Sequence, residues 1–418
     1  MHSPIPVPDP PRLLSLDLVR GTALLGILLL NIVGFAMPEA AYFNPRAYGG
    51  WHGADLAAWL VNFLFFDGRM RGLFSFLFGA SLLIVTDAAE AAGRDPARAH
   101  YARMGWLFAF GIAHLWLLWH GDILAHYALV GMIAYPLRTL PVSRLVSLGA
   151  VLVLATTALF GMLAHDAWRM SLAPMPVQGE YTALVDAFGT PPAARIAEEL
   201  AVRRGDYASI VAQRVGAYAF SPFAMLTLYG WETLGYFLFG MAALRSGLLA
   251  GRWPRATLRR WWLRSWAVTL PVYALLAWYQ IAAGFSLFSV LLAGVALTGL
   301  VRPAMILGWA CLILLLARPG GWLTTRLAAA GRMAFSNYLA TSLVCVLLFD
   351  GAGLGWFGHL SRWQLYPVVV GVWALLLLWS APWLAQFRYG PLEWLWRSLA
   401  RGRLQPIRNS LANRSHSH

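Results

Sequence analysis

The sequence predicts an all-α polytopic membrane protein. Of 418 residues, 59% are hydrophobic and only 12% charged, and the mean hydropathy is +0.60. A soluble domain carries about 25% charged residues, so half the charge needed to coat a globular surface is missing. That excludes a soluble enzyme of this length, a disordered chain and a disulfide scaffold. The whole of 1–418 reads as one integral membrane domain. The net charge of +14 comes from 32 Arg with no Lys. These arginines fall between apolar stretches, as in the loops of membrane proteins, so no nucleic-acid partner is expected.

Crossing a hydrocarbon core of about 30 Å takes about 20 apolar residues. Segments 14–36, 72–90, 104–119, 122–138, 145–166, 218–247, 262–283, 286–317, 332–350 and 364–386 fit, giving about ten spans. The first holds Asp17, Arg20 and Asn31, which a cleaved signal peptide would not carry, so it is read as a retained span. Segment 54–66 is apolar but short, and is expected at the interface or partway in. The run 286–317 is either one helix kinked at Arg302-Pro303 or two spans, which would make eleven. With one helix, 21 of the 32 Arg, Arg12 included, fall on the side of both termini. The positive-inside tendency then puts both termini in the cytoplasm.

The organisation that follows is an N-terminal five-helix half over 14–166 and a C-terminal half over 218–400. Between them lies an extracytoplasmic loop of about 50 residues, 167–217, and a basic cytoplasmic tail, 401–418, ends the chain. The loop contains a helix expected from Ala193 to Val215, and reads as a lid or as a solvated connector. After the last span, 387–397 reads as an interfacial amphipathic helix with aromatic anchors.

Ionisable side chains inside a span cost about 2.5–3.5 kcal/mol each, which makes them functional candidates. Asp17 and Arg20 share a face of the first helix and suit a substrate entry or a structural pin. Asp122 and His126, four apart, would share a helix face, with the carboxylate orienting the imidazole as a general base. His114, deeper in its span, reads as a structural group. Asp67, Arg69 and Arg71 at the outer start of the second span suit an anion clamp or interfacial anchoring, and His52 precedes them. Glu232 needs a partner for its charge. Arg332 and Asn337 give the ninth span a polar start. Cys311 and Cys345 lie in apolar runs; no metal site and no permanently bound cofactor is expected. No phosphate loop, dinucleotide fingerprint, nucleophile elbow or zinc signature is present, and no internal repeat of the kind many transporters carry.

Several strings together carry a resemblance: Arg12-Leu-Leu-Ser-Leu-Asp17-Leu-Val-Arg20-Gly, Gly68-Arg-Met-Arg-Gly-Leu-Phe-Ser-Phe-Leu-Phe-Gly79, Gly121-Asp-Ile-Leu-Ala-His-Tyr-Ala-Leu-Val-Gly131, Gly331-Arg-Met-Ala-Phe-Ser-Asn-Tyr338 and Tyr389-Gly-Pro-Leu-Glu-Trp394. Over about 11–400 the chain resembles the bacterial YeiB-like family, whose C-terminal half is domain of unknown function 418. Asp17-x-x-Arg20-Gly is also similar to the start of the wider transmembrane acyltransferase superfamily. That resemblance implies transfer of an acyl group from cytoplasmic acyl-CoA, as co-substrate, to an acceptor across the membrane. The superfamily's O-acyltransferases carry a key His fourteen residues after the Asp, where this chain has Asn31. The heparan glucosaminide acetyltransferase also has Asn there, and its catalytic His follows in the external loop; His52 is the nearest candidate here, at a longer spacing.

The expectation is therefore a multi-pass acyltransferase of the bacterial inner membrane, its partners being the lipid bilayer and a glycan or small polar acceptor. Asp17, Arg20 and Arg332 would line the donor entry, His52 or His126 with Asp122 would be catalytic, and Arg69 or Arg71 would bind substrate or an oxyanion. The alternatives are a transporter or export component using Glu232, and a non-catalytic scaffold. Oligomeric state is not legible.

Overall fold

A computed structural model describes residues 13–172 and 178–409; Arg12 and the tail from 410 onward lie outside the described residues. Among those described, the chain is helical with no strand beyond one isolated bridge between Phe387 and Arg408. Five helical segments are long and apolar enough to cross a membrane: Leu14–Ala36, Gly53–Ala91, Val142–Ser171, Leu287–Leu316 and Leu365–Gln386. A sixth arises if Trp322–Arg332 and Ala334–Phe349, bent by 86°, count as one span. This is a membrane protein.

The helices are α1 (Leu14–Ala36), α2 (Gly53–Val61), α3 (Arg69–Ala91), α4 (Pro96–Leu117), α5 (Leu124–Ala134) and α6 (Val142–Ser171). Three more, α7 (Gln178–Phe188), α8 (Ala193–Arg203) and α9 (Tyr207–Tyr218), form the long loop. Then come α10 (Ser221–Arg245), α11 (Arg255–Ala282), α12 (Leu287–Ser289), α13 (Thr298–Leu316), α14 (Trp322–Arg332), α15 (Ala334–Phe349), α16 (Leu365–Gln386) and α17 (Pro391–Arg401). Two π-helical segments, Asn62–Phe66 and Val290–Ala296, extend α2 and join α12 to α13.

The run 286–317 is thus one helical rod, which Pro303 does not split. Segment 54–66 forms α2 and the first π-helical segment. It continues into α3 as one 39-residue apolar stretch broken only at Asp67-Gly68, and Asn62 donates to the Leu29 carbonyl within α1 at 2.8 Å. Asp67, Arg69 and Arg71 therefore sit inside this stretch rather than at its start, where the apolar-run boundaries placed them. Gly68 makes the break possible. Its φ of +69° is left-handed, and a Cβ there would stand 2.6 Å from Arg302 Nε.

Close helix crossings use small residues. A Cβ on Gly240 of α10 would lie 1.8 Å from the Phe76 carbonyl oxygen of α3, and one on Gly331 1.9 Å from that of Asp17 in α1. The bend between α14 and α15 is satisfied by side chains from elsewhere. Asn337 Nδ2 donates to the Ala330 carbonyl and to Ser380 Oγ, both at 3.0 Å, while Trp379 donates to its Oδ1 at 2.9 Å. Glu393 of α17 accepts from the Phe335 and Ser336 N–H groups at 2.7 and 3.1 Å. Asn337 thus pins the bend, with its amide engaged on both ends. The polar start expected for the ninth span is this bend.

Candidate functional site

The buried charges around the Asp67-Gly68 break form one chain. Arg71 Nη2 donates to Glu232 Oε2 at 2.7 Å; Arg302 Nη1 and Tyr236 Oη, the latter at 2.7 Å, share Oε1. Arg302 Nη2 also donates to Thr298 Oγ1 at 2.6 Å. Arg69 is 1% exposed and lies over the Tyr273 ring at 3.4 Å, with one donor on the Asp67 carbonyl. Glu232 thus has the partner its burial demands, twice over. Arg71 is committed to it, whereas Arg69, stacked on Tyr273, keeps its buried Nε and Nη2 without a hydrogen-bond partner among the described residues. Arg302, the missed member, is an ionisable residue inside an apolar run, which the cost argument applies to as directly as to Glu232.

The histidines fall differently from the i, i+4 expectation. Asp122 lies just before α5 rather than within it, so the helical spacing to His126 does not apply. One oxygen of Asp122 caps the helix, accepting from Ala125 N–H at 2.8 Å, and the other pairs with His114 Nδ1 at 2.8 Å. His126 bonds Thr233 Oγ1 through Nε2 at 2.9 Å. His52 is exposed at the start of α2 against Trp51 and apart from both. His114, read from sequence as structural, is the histidine oriented by a carboxylate. Its Nε2 is 2.9 Å from Ser342 Oγ of α15, and Asp122, His114 and Ser342 are 4%, 2% and 1% exposed. With Nδ1–H given to the carboxylate, Nε2 is left as acceptor, the tautomer of a general base.

Two cavities flank the C-terminal half of α1. Ser342 lines a small one with Asn31, Tyr338 and Thr341 and the apolar Leu24, Leu28 and Phe35. The other lies between the two π-helical segments and presents Asn62, Asp67, Gln280 and Tyr42 beside Trp59 and Phe43; π-bulges recur at functional sites. Tyr42 of the second donates to Asn31 Oδ1 of the first at 3.3 Å. Among the described residues no three His, Cys, Asp or Glu side chains group as metal ligands.

At the face where α1 begins, Asp17 and Arg20 are paired at 3.1 Å, and Arg20 also reaches Ser81. Arg332 follows Gly331, which packs on the Asp17 backbone. Arg103 of α4 stacks on Trp396 at 4.1 Å, within electrostatic reach of Arg397, Arg401 and Arg20. Helix α17 brings this group together: Trp396 Nε1 donates to the Arg103 carbonyl at 2.9 Å, which docks the expected amphipathic helix on α4.

The long loop caps the opposite face. The single helix expected over 193–215 is two, because Gly205-Asp206 breaks it and Asp206 caps α9 through Ser209 N–H. Arg203 and Arg214 both bind the Asp350 carboxylate at 2.7 Å, all three being buried. Tyr207 donates to the Leu117 carbonyl at 2.7 Å, and Tyr218 stacks on His120. Burial, with Arg203 and Arg214 nearby, holds His120 well below the ordinary imidazole range. The loop is a docked cap rather than a free connector.

One carboxylate makes that docking pH-sensitive. Glu199 accepts the Glu39 N–H at 2.9 Å. Desolvation pushes it up to about 7 from 4.5; Glu39's charge adds to the rise, and the Glu39 N–H, Arg203 and Arg195 oppose it. An acid raised on folding contributes stability below its unfolded value and loses it as pH climbs through the folded one. Docking is therefore expected to be firmest near pH 4.5 and to loosen through about 7. Hydrogen exchange of α8 and α9, corrected for intrinsic rate, should show this, with Glu199→Gln flattening the profile; equal slopes in both proteins would contradict it.

A profile described as protein of unknown function (DUF418) matches residues 243–403. The uncharacterized protein YeiB of Escherichia coli K12 is 34% identical over 408 residues, covering 93% of this chain and 96% of the relative. The uncharacterized protein YxaH of Bacillus subtilis 168 is 28% identical over 414 residues, covering 95% and 96%. An uncharacterized 39.9 kDa protein from the amylase 3' region of Bacillus acidopullulyticus is 25% identical over 404 residues, with 95% and 96% covered.

Proposed function

The chain belongs to the YeiB-like family with a C-terminal DUF418 region, and on that premise we propose that it is a membrane-embedded acyltransferase. It takes an acyl group from acyl-CoA at the cytoplasmic face and passes it to a hydroxyl of a glycan or small polar acceptor on the far side. The observation that carries this reading is the buried Asp122–His114 pair beside a cavity. A carboxylate-oriented imidazole is what deprotonating a hydroxyl requires, and such a base contributes about 10²–10⁴-fold to rate. His114 takes the role that sequence spacing gave to His52 or His126. Asn31, whose Oδ1 is occupied by Tyr42, has amide N–H donors for the developing oxyanion.

The termini face is read as cytoplasmic and as the donor entry. Arg103, Arg397 and Arg401 join Asp17, Arg20 and Arg332 there, and guanidinium groups suit the phosphates of CoA. The cavity between the π-helical segments suits the acceptor, since its amides, Asp67 carboxylate and aromatic rings match a polyhydroxylated ligand. Charge-assisted hydrogen bonds are worth about 1.5–3 kcal/mol. Arg103→Ala with Arg397→Ala is accordingly expected to raise the KM for acyl-CoA by about tenfold or more with kcat little changed. An unchanged KM in steady-state assays would remove the donor site from this face.

Transport is the second reading, favoured by the buried Arg71–Glu232–Arg302 chain. It predicts solute flux in proteoliposomes without an acyl donor, abolished by Glu232→Gln.

A further inference from the structure

The contact between His114 and Ser342 goes beyond what a general base alone needs. A hydroxyl 2.9 Å from Nε2, an imidazole 2.8 Å from a carboxylate on its other nitrogen, and a carboxylate fixed by a backbone N–H are the parts of an activated serine nucleophile. They come from three places: α4, the turn before α5, and α15. Ser342 has another acceptor, the Tyr338 carbonyl at 3.3 Å. A hydroxyl has one proton to give, and the shorter contact is to His114. The serine also lines a small cavity beside Leu28 and Phe35.

We propose that Ser342 is a nucleophile that holds the acyl group covalently between donor and acceptor. This rests on the acyltransferase reading for the identity of the donor, but not for the reactivity of the serine. In the first half, Ser342 Oγ attacks the thioester carbonyl carbon as its proton passes to His114 Nε2. The carbon–sulfur bond breaks, the proton goes to the departing CoA thiolate, and an oxygen ester remains on Ser342. In the second half, His114 takes the proton of the acceptor hydroxyl as its oxygen attacks that ester. The bond to Ser342 Oγ breaks, and the proton returns to the serine. Asp122 stabilises the imidazolium in both halves. A covalent carrier lets substrates from opposite faces react in turn, so the donor leaves before the acceptor enters.

Two measurements on the full-length protein in detergent test this. A fluorophosphonate probe, which needs no acyl donor, is followed by peptide mass spectrometry, and radiolabelled acetyl-CoA is followed for CoA release and protein-bound label. The expected result is a probe adduct on Ser342, absent in Ser342→Ala and formed at least about 100-fold more slowly in His114→Ala. Ser342→Cys guards against a misfolded alanine variant: it should elute as a single species and take label as a thioester released by neutral hydroxylamine. CoA release dependent on His114 with no adduct or label on Ser342 would overturn the covalent step and leave direct transfer standing. An adduct on Ser342 without CoA release would support the nucleophile and overturn acyl-CoA as donor. No adduct and no release would overturn both.

Discussion

Glu232→Gln is expected to destabilise the protein by about 3–5 kcal/mol, the cost of stripping the counter-charge from a buried pair. Glu232 is 3% exposed and accepts from Arg71, Arg302 and Tyr236. Its neutral isostere keeps the volume but leaves two guanidinium groups without their carboxylate, with Arg69 close by. Thermal unfolding in detergent should show a large drop in midpoint. Adding Arg302→Met to Glu232→Gln should recover part of the loss, since a packed apolar side chain replaces an unpaired charge. A single variant within about 1 kcal/mol of the parent, the range of a surface pair, would mean that water reaches the cluster and that it is not buried as described.

His114→Ala carries the second large effect: a loss of about 10³-fold or more in acyl-transfer kcat, with donor KM little changed. Asp122→Asn should fall by about 10²–10⁴-fold, because an amide no longer fixes the productive tautomer or stabilises the imidazolium. His52→Ala and His126→Ala should stay within about twofold, one being exposed at a helix start and the other bonded to Thr233. The ordering of the four variants is the informative result, since a folding defect would not sort them by contact with Asp122.

What the sequence revealed follows from what local pattern encodes. Apolar length located α1, α6 and α16 to within a few residues, and charge placement favoured one rod over two for 286–317. Depth was less legible. Apolar runs stop at Asp67-Gly-Arg69, so that group read as a surface, whereas Glu232 and Arg302 are distant partners around which it is buried. The bend at Met333 depends on Asn337 and Glu393, 56 residues apart in sequence, and no local signal marks it. The i, i+4 rule paired Asp122 with His126 by assuming a helix at Asp122, where the chain instead turns back along α4 and meets His114. Ser342 is one serine in an apolar helix, indistinguishable from its neighbours until α4 and α15 are seen side by side.

The most direct test of the account is single-turnover CoA release from acetyl-CoA by the purified protein, comparing the parent with His114→Ala and His52→Ala. A burst of free CoA is expected from the parent and from His52→Ala, with His114→Ala slower by about 10³-fold. Equal release by the parent and His114→Ala, or release that depends on His52 instead, would contradict it.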